Sequence, residues 1–397
     1  MKPDAKLDAM LADREVIVCV GCGGAGKTTV AAALALEAAR RGRKALVLTI
    51  DPARRLADAL GVESLGNRPQ AIPRETLDAL GVPRGGNLSA MMLDMKRTFD
   101  DLVERFAESE EVRDRVFENS IYQHVSNALA GSVEYSAMEK VFELHESGAF
   151  DLIVVDTPPA QHALDFLEAP QRLLEFLDSR LVKMLIHPAF AAGRFGFRLF
   201  HRGTQWVLQV LERITGIGFL EDLSEFLITF DAMADGFRDR AHRVRSLLLG
   251  PESTFVLVSG PGGESARRAS DFLDRLEGYG VSLAGVLVNR IRLWPSEDDP
   301  PGGDAQRGAA IEALRDALRA SEGSDYPAQL AAEAAAKAAK RYAEWVRADA
   351  RSAQPLRERL EAQGRFWGRV PEFERDVHDL SGLGRVADRI AGKDEEP

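Results

Sequence analysis

Residues 15–29 read EVIVCVGCGGAGKTT, and this stretch decides the fold. A short β-branched run at residues 16–20 precedes the glycines, Lys27-Thr28-Thr29 and an alanine- and leucine-rich helical stretch at residues 30–40. The order of strand, glycine loop, Lys-Thr and helix matches the phosphate-binding loop G-x-x-x-x-G-K-T, starting at Gly21. The alternative is a chance glycine turn before a helix, which this context disfavours. The stretch therefore predicts an α/β protein that binds ATP or GTP.

Each residue type in this loop has a physical reason. Glycines let consecutive backbone N–H groups turn inward around an anion, and the following helix points its positive end at the phosphates. Lys27 supplies a mobile charge for the β- and γ-phosphates, and the Thr28 hydroxyl is a ligand for Mg²⁺. The predicted nucleotide-binding residues of this loop are Gly23, Gly24, Ala25, Gly26, Lys27, Thr28 and Thr29.

Composition excludes several classes of protein. The 397 residues carry a net charge of −11, which argues against general nucleic-acid binding because a DNA-binding surface needs clustered Lys and Arg. The only two cysteines, Cys19 and Cys22, allow no disulfide framework beyond that one pair, which favours a reducing, cytoplasmic setting. No apolar run is long enough to span a membrane, and residues 1–14 lack the apolar core of a signal peptide. We expect that segment to be a polar leader.

Further apolar runs predict a doubly wound, mostly parallel sheet. Candidate strands lie at residues 44–50, 87–94, 151–155, 254–259, 284–289 and 365–370. A helix at residues 264–279 joins two of these strands into a βαβ unit, so those strands should be parallel neighbours or near-neighbours. Residues 62–87 are predicted to be loop with a short helix. Further helices are predicted at residues 305–320, 326–363 and 380–390.

Two acidic residues follow predicted strands. Asp51 ends the second strand and Asp156 ends the strand at residues 151–155, so both lie at the sheet edge where doubly wound folds bind ligands. Downstream of a phosphate loop, an aspartate in the position of Asp156 is the expected holder of the Mg²⁺ hydration shell. Either residue could instead cap a helix, and Pro52 suits the first helical position after Asp51.

The helical residues between the strands suggest one nucleotide-binding domain, residues 1–397, with an inserted helical subdomain at residues 95–146 and 164–250. Within it, residues 181–230 are rich in apolar and aromatic side chains and contain five glycines. This block is either an ordinary helix–helix core or a groove for a hydrophobic partner helix. Residues 294–304 are predicted to form a linker, and residues 391–397 an acidic tail.

Three separated motifs resemble the arsenite-pump (anion-transporting) ATPase family, which includes the tail-anchored-protein targeting ATPases. They are GCGGAGKTT at residues 21–29, TIDPARRLADALG at residues 49–61 and DTPPAQHALDFLEAP at residues 156–170. They look like the glycine loop and the two switch segments of that family, in the same order. This family belongs to the deviant Walker A branch of the P-loop NTPases.

The resemblance implies roles for individual residues. Lys27 and Thr28 keep their phosphate and magnesium roles, Asp51 positions or activates the attacking water, and Asp156 holds Mg²⁺ through water. The second switch, which senses the γ-phosphate, includes Thr157, Pro158 and His162. Adenine is contacted by Asn289, Pro371 and Phe373.

The chain departs from the family pattern at two places. The branch is named for a lysine ahead of the double glycine, which reaches across a dimer to the partner's nucleotide; here that position is Cys22. Hydrolysis is then slow, recruits another cation such as Arg54 or Arg55, or depends on a partner subunit that has the lysine. The cysteines that bind metalloid or zinc in some relatives are missing, and we interpret Cys19 and Cys22 as structural.

The resemblance implies a Mg²⁺-dependent ATPase that acts as a dimeric switch and binds or delivers hydrophobic segments of membrane proteins. The dimer is either a homodimer or a heterodimer with a paralogue that carries the signature lysine. We expect no nucleic-acid partner and no stable membrane insertion. The alternatives are the energising ATPase subunit of an anion or metalloid efflux system, a slow-hydrolysing regulatory ATPase and, ranked third, a surface-positioning ATPase of the partition type.

Overall fold

The computed structural model describes residues 5–51, 55–119, 122, 132–158, 167–172, 174–175, 178–179, 226–229, 233–294, 328–374, 376–377 and 379–393. Within these residues, eight strands form one sheet in the order β3-β4-β2-β5-β1-β6-β7-β8. The strands are β1 Val16–Gly21, β2 Lys44–Thr49, β3 Gln70–Ala71, β4 Asn87–Met92, β5 Leu152–Asp156, β6 Ser253–Ser259, β7 Leu283–Ile291 and β8 Phe366–Pro371. All neighbours are parallel except β3 and β4. The predicted α/β fold of a P-loop NTPase is confirmed.

Helices cover both faces of this sheet and also form a further core that is separate from it. They are α1 Ala5–Asp13, α2 Lys27–Arg40, α3 Arg55–Ala59, α4 Arg74–Ala79, α5 Met95–Phe106, α6 Glu110–Glu118, α7 Ser132–Glu146, α8 Ala234–Leu249, α9 Gly263–Gly278, α10 Ala328–Ala362 and α11 Leu380–Ile390. The predicted βαβ unit is confirmed, because β6 and β7 are parallel neighbours joined by α9.

The core lies on the two faces of the sheet because successive strand residues point to opposite sides. On one face, Ile17 and Val154 pack with helices α1, α2 and α11; on the other, Val18 and Val155 pack with α7, α8, α9 and α10. Every residue of β1 and of β5 is buried, which explains why these strands are continuous apolar runs in the sequence. Both strands are therefore held rigidly below the site.

Two parts of the sheet domain differ from the sequence prediction. The expected polar leader is wrong for residues 5–13, which form α1 and bury Leu7, Met10 and Leu11. These three residues have helical spacing, but polar neighbours mask their pattern. The predicted loop before β4 contains β3 besides the expected short helix, and its two residues are both exposed.

A third core is separate from the sheet. Phe99 of α5, Tyr122 and Phe237 of α8 belong to a cluster of buried side chains that also takes in Leu174 and Phe226. Phe99 stacks on Tyr122, with their ring centroids 6.1 Å apart. This cluster supports the inserted helical subdomain, which stays a prediction because residues 181–225 lie outside the described residues. So do the predicted helix at residues 305–320, residues 295–304 of the linker and residues 394–397 of the tail.

None of the helices that the structure describes combines the length and the apolar character needed to cross a membrane.

Candidate active site

The phosphate loop joins β1 to α2 at the centre of the sheet. Gly26, immediately before α2, has a φ of +83°, in the left-handed region that glycine tolerates best. A Cβ at this position would lie 2.1 Å from Asn289 Nδ2. Any side chain at Gly26 would therefore strain the loop and displace Asn289.

Lys27 is held inside the loop. Its Nζ donates to the carbonyl oxygens of Gly21 at 3.1 Å and Cys22 at 3.2 Å, and the residue is 8% exposed. Burial lowers the pKa of Lys27, while the nearby Asp156 carboxylate opposes that change. The ammonium group thus lies within the turn that would surround the phosphates.

Asp156 is the centre of a hydrogen-bond network below the loop. The Thr28 hydroxyl donates to Asp156 Oδ2 at 2.7 Å, and the Thr49 hydroxyl donates to the same oxygen at 2.9 Å. Thr49 Oγ1 in turn accepts from the Asp51 backbone N–H at 3.2 Å. Burial raises the pKa of Asp156 to about 6, and the hydrogen bonds from Thr28 and Thr49 limit the rise.

The other oxygen of this carboxylate fits a magnesium site. Asp156 Oδ1 is buried and has no hydrogen-bond partner among the described residues. A buried acceptor of this kind calls for a donor, and a water molecule bound to Mg²⁺ is one. Thr28 and Asp156 are therefore suited to hold the ion, one by direct ligation and the other through water.

A cleft of about 520 Å³ opens above this network. The predicted site residues that line it are Gly23, Gly24, Gly26, Lys27, Thr28, Thr29, Asp51, Thr157, Asn289, Pro371 and Phe373. Arg55 also belongs to the lining, and its Nη1 lies 3.8 Å from Asp51 Oδ2. The structure thus brings together residues from segments far apart in the chain.

Another part of the cleft lining comes from β7, the end of β8 and the segment that follows it. Asn289 is 6% exposed, and its Nδ2 donates to the Ala25 carbonyl at 2.9 Å, so it supports the phosphate loop as well as lining the cleft. The Arg385 guanidinium lies 5.1 Å from the centroid of the Phe373 ring, a cation–π contact that fixes this aromatic wall. Arg290 has a φ of +58° and pairs with Asp376 at 3.2 Å.

Some predicted site residues lie outside the cleft lining. Ala25 is buried and presents its carbonyl to Asn289, and Asp156 lies below the cleft floor. Thr157 lines the cleft but donates its hydroxyl to the Cys19 carbonyl at 2.7 Å. Pro158 is half-buried and is not part of the lining, and His162 lies outside the described residues.

Sequence reasoning missed Thr49 and several lining residues. Thr49 is paired with Asp156 in the register of β2 and β5, so aligning the ends of these two parallel strands could have found it. The other missed residues that line the cleft are Asp58, Arg290, Glu372, Asp376, Val377 and Val386. Asp58 lies inside the first switch motif, residues 49–61, but was not singled out there, and the others lie outside the three motifs.

The two cysteines have different surroundings. Cys19 is fully buried within the sheet core, and burial raises the pKa of its thiol. Cys22 is half-buried in the phosphate loop, where its carbonyl oxygen accepts from Lys27. The interpretation of Cys19 as structural agrees with this placement.

Comparison with known proteins places this site in a family. The model of the anion-transporting ATPase family matches residues 14–312. Similar relatives include ATPase get3 of Neurospora crassa, 26% identical over 72% of this chain and 74% of the relative. ATPase GET3 of Malassezia globosa is 26% identical over 76% and 78%, and ATPase get3 of Pyrenophora tritici-repentis is 27% identical over 70% and 74%. Because the family model covers most of the chain, and the phosphate loop and both aspartates lie inside the match, this chain belongs to the anion-transporting ATPase family and is an ATPase.

Proposed function

We propose that this chain is a Mg²⁺-dependent ATPase whose nucleotide state drives a dimeric switch for hydrophobic segments of membrane proteins. One observation carries the proposal. The hydroxyls of Thr28 and Thr49 meet on Asp156, and Thr49 also accepts from the backbone of Asp51. The phosphate loop and both switch segments are thereby linked through one carboxylate.

The chain's own residues divide the work of hydrolysis. Lys27 and the loop amides bind the phosphates, and Asp51 orients the attacking water from the rim of the cleft. Thr28 and Asp156 would hold Mg²⁺, which would neutralise charge on the phosphates. Asn289, Pro371 and Phe373 form the adenine end.

Switching follows from where these residues lie. Asp51 follows β2 and Thr157 follows β5, so both segments leave neighbouring strands at the nucleotide edge. Contacts to a γ-phosphate would order them together, and hydrolysis would release them together. ATP therefore favours one arrangement of the dimer and ADP the other.

The hydrophobic client is supported by the family and by the sequence. The resembled family includes tail-anchored-protein targeting ATPases, and the relatives above are named get3 ATPases. The apolar block at residues 181–230 is continuous in sequence with the third core, because Phe226 and Leu227 at the end of the block belong to that core. We propose that two such regions join in the dimer, which is a homodimer or a heterodimer with a paralogue carrying the signature lysine, in the cytoplasm.

A capture experiment tests the client. Asp51→Asn should bind ATP without hydrolysing it. In the presence of ATP, a purified transmembrane peptide should therefore co-elute with this variant, in a complex that has the mass of the dimer. In ADP, or with Lys27→Ala, capture should fall at least about tenfold, since both lack the closed state. A polar peptide of equal length is the control. Equal capture with ATP and ADP, or none with either, would refute the client.

A further inference from the structure

We infer that Arg55 supplies the catalytic cation in cis and contacts the γ-phosphate during hydrolysis. The inference rests on the proposed roles of Lys27, Thr28 and Asp51 in ATP hydrolysis. It concerns a residue outside the phosphate loop, four positions after Asp51. Its side chain lines the same cleft as those three residues.

Arg55 lies close to Asp51, at the start of helix α3. Helix α3 begins at Arg55, four residues after Asp51, and the Arg55 Nη1 lies 3.8 Å from Asp51 Oδ2. The Asp51 backbone is tied to Thr49, and Thr49 to Asp156. Arg55 thus neighbours the carboxylate that would orient the attacking water.

Among the described lining residues, the other two cations pair with groups other than Asp51. Lys27 donates to the loop carbonyls of Gly21 and Cys22. Arg290 pairs with Asp376 at 3.2 Å, in the part of the lining that comes from β7 and the segment after β8. Among the lining residues that the structure describes, Arg55 is the cation beside Asp51.

The pair with Asp51 leaves Arg55 able to move. Its side chain is 71% exposed and that of Asp51 is 34% exposed, and an exposed pair spaced i,i+4 is weak. For Arg55, exchanging the solvated Asp51 carboxylate for a triphosphate therefore costs little free energy. A guanidinium can also donate two parallel hydrogen bonds to phosphate oxygens, which suits the trigonal geometry of the transferring group.

The reaction creates a need for this charge. The water oxygen bonds to the γ-phosphorus while the bond from that phosphorus to the β,γ-bridging oxygen breaks. The electron pair of that bond stays on ADP, and both water protons end on inorganic phosphate. Charge on the oxygens around phosphorus changes in the transition state, and an arginine supplied in cis can stabilise it. Cys22, a neutral thiol in the loop, provides no such charge.

The test compares two arginine substitutions in the full chain. R55Q should lower kcat by about 10²–10³-fold while the Kd for ATP stays within about threefold, because the contact forms in the transition state. R55K, which keeps the charge without the fork, should recover part of kcat. The matched control is R97Q: Arg97 is 67% exposed and lies 3.9 Å from Asp101 at the same spacing, on α5. Its kcat should equal that of the wild type.

Two results would overturn the assignment. One is a wild-type kcat in R55Q, including the case in which R54Q carries the loss instead. The other is a parallel loss of kcat and ATP affinity, which would make Arg55 a binding residue. An error in the proposed ATPase site can be told apart from an error in the role of Arg55, because in the first case D51N would also hydrolyse ATP at the wild-type rate. A wild-type chain without turnover would contradict both.

Discussion

At the scale of single residues, the site depends on hydroxyl groups as much as on charges. Thr49 is 1% exposed, donates to Asp156 and accepts from the Asp51 N–H. Its methyl group and hydroxyl occupy the end of β2, where the register sets it opposite Asp156. We therefore propose that Thr49 is a positioning residue, which acts on the reaction through the two aspartates.

Two substitutions of Thr49 distinguish the effect of its hydroxyl group from the effect of its side-chain volume. Thr49→Val leaves Asp156 with one donor fewer and the Asp51 N–H without its acceptor, which should cost about 1–2 kcal/mol of unfolding free energy. Steady-state kinetics should show kcat reduced about tenfold, with a smaller change in the Kd for ATP. Thr49→Ser keeps the hydroxyl and should restore kcat. A wild-type kcat in Thr49→Val would show that the Thr49 hydroxyl has no role in hydrolysis.

At the scale of elements, helices α5, α7 and α8 meet around a buried ion pair. Arg240 of α8 donates to Glu139 of α7 at 2.6 Å, and Arg105 of α5 lies 3.7 Å from the same carboxylate oxygen. Glu139 Oε2, Arg240 Nη2 and the Tyr135 hydroxyl are buried without hydrogen-bond partners among the described residues. Burial raises the pKa of Glu139 from its usual 4.5 to about 7, although Arg240 and Arg105 oppose the rise and Glu143 adds to it.

This ion pair should make folding stability depend on pH. The folded chain holds the Glu139 proton more tightly than the unfolded chain. The contribution of this protonated carboxyl group to the free energy of unfolding is therefore largest below pH 4.5 and is lost as pH rises through about 7. Glu139→Gln cannot titrate. Urea melts from pH 5 to pH 8 should show the wild type losing stability relative to Glu139→Gln as pH rises. A constant difference across that range would contradict the shifted pKa.

The elements also show what sequence can and cannot predict. Strands β1 and β5 were predictable because burial on both faces leaves a continuous apolar run. Helix α1 was missed because three apolar residues anchor an otherwise polar segment. The phosphate loop and Asp156 were predictable from local motifs. The contact of Asn289 Nδ2 with the Ala25 carbonyl joins residues 264 positions apart, so no local pattern contains it.

At the scale of the whole molecule, the strand order assembles the site. β1 lies between β5 and β6, and β2 lies beside β5, so the phosphate loop and both aspartates emerge at adjacent positions of one edge. β7 and β8 extend that edge toward Asn289 and Phe373. The residues proposed for binding and those proposed for turnover thus follow different strands, and substitution should separate the two functions.

The most direct measurement of this account compares ATP binding with ATP turnover in two variants. Lys27→Ala should lose ATP affinity at least about 100-fold, because it removes the buried cation from the phosphate loop. Asp51→Asn should bind ATP within about threefold of the wild type and lose kcat at least about 100-fold, since it removes only the group that orients water. Normal hydrolysis by Asp51→Asn would contradict the proposed role of Asp51 in orienting the attacking water.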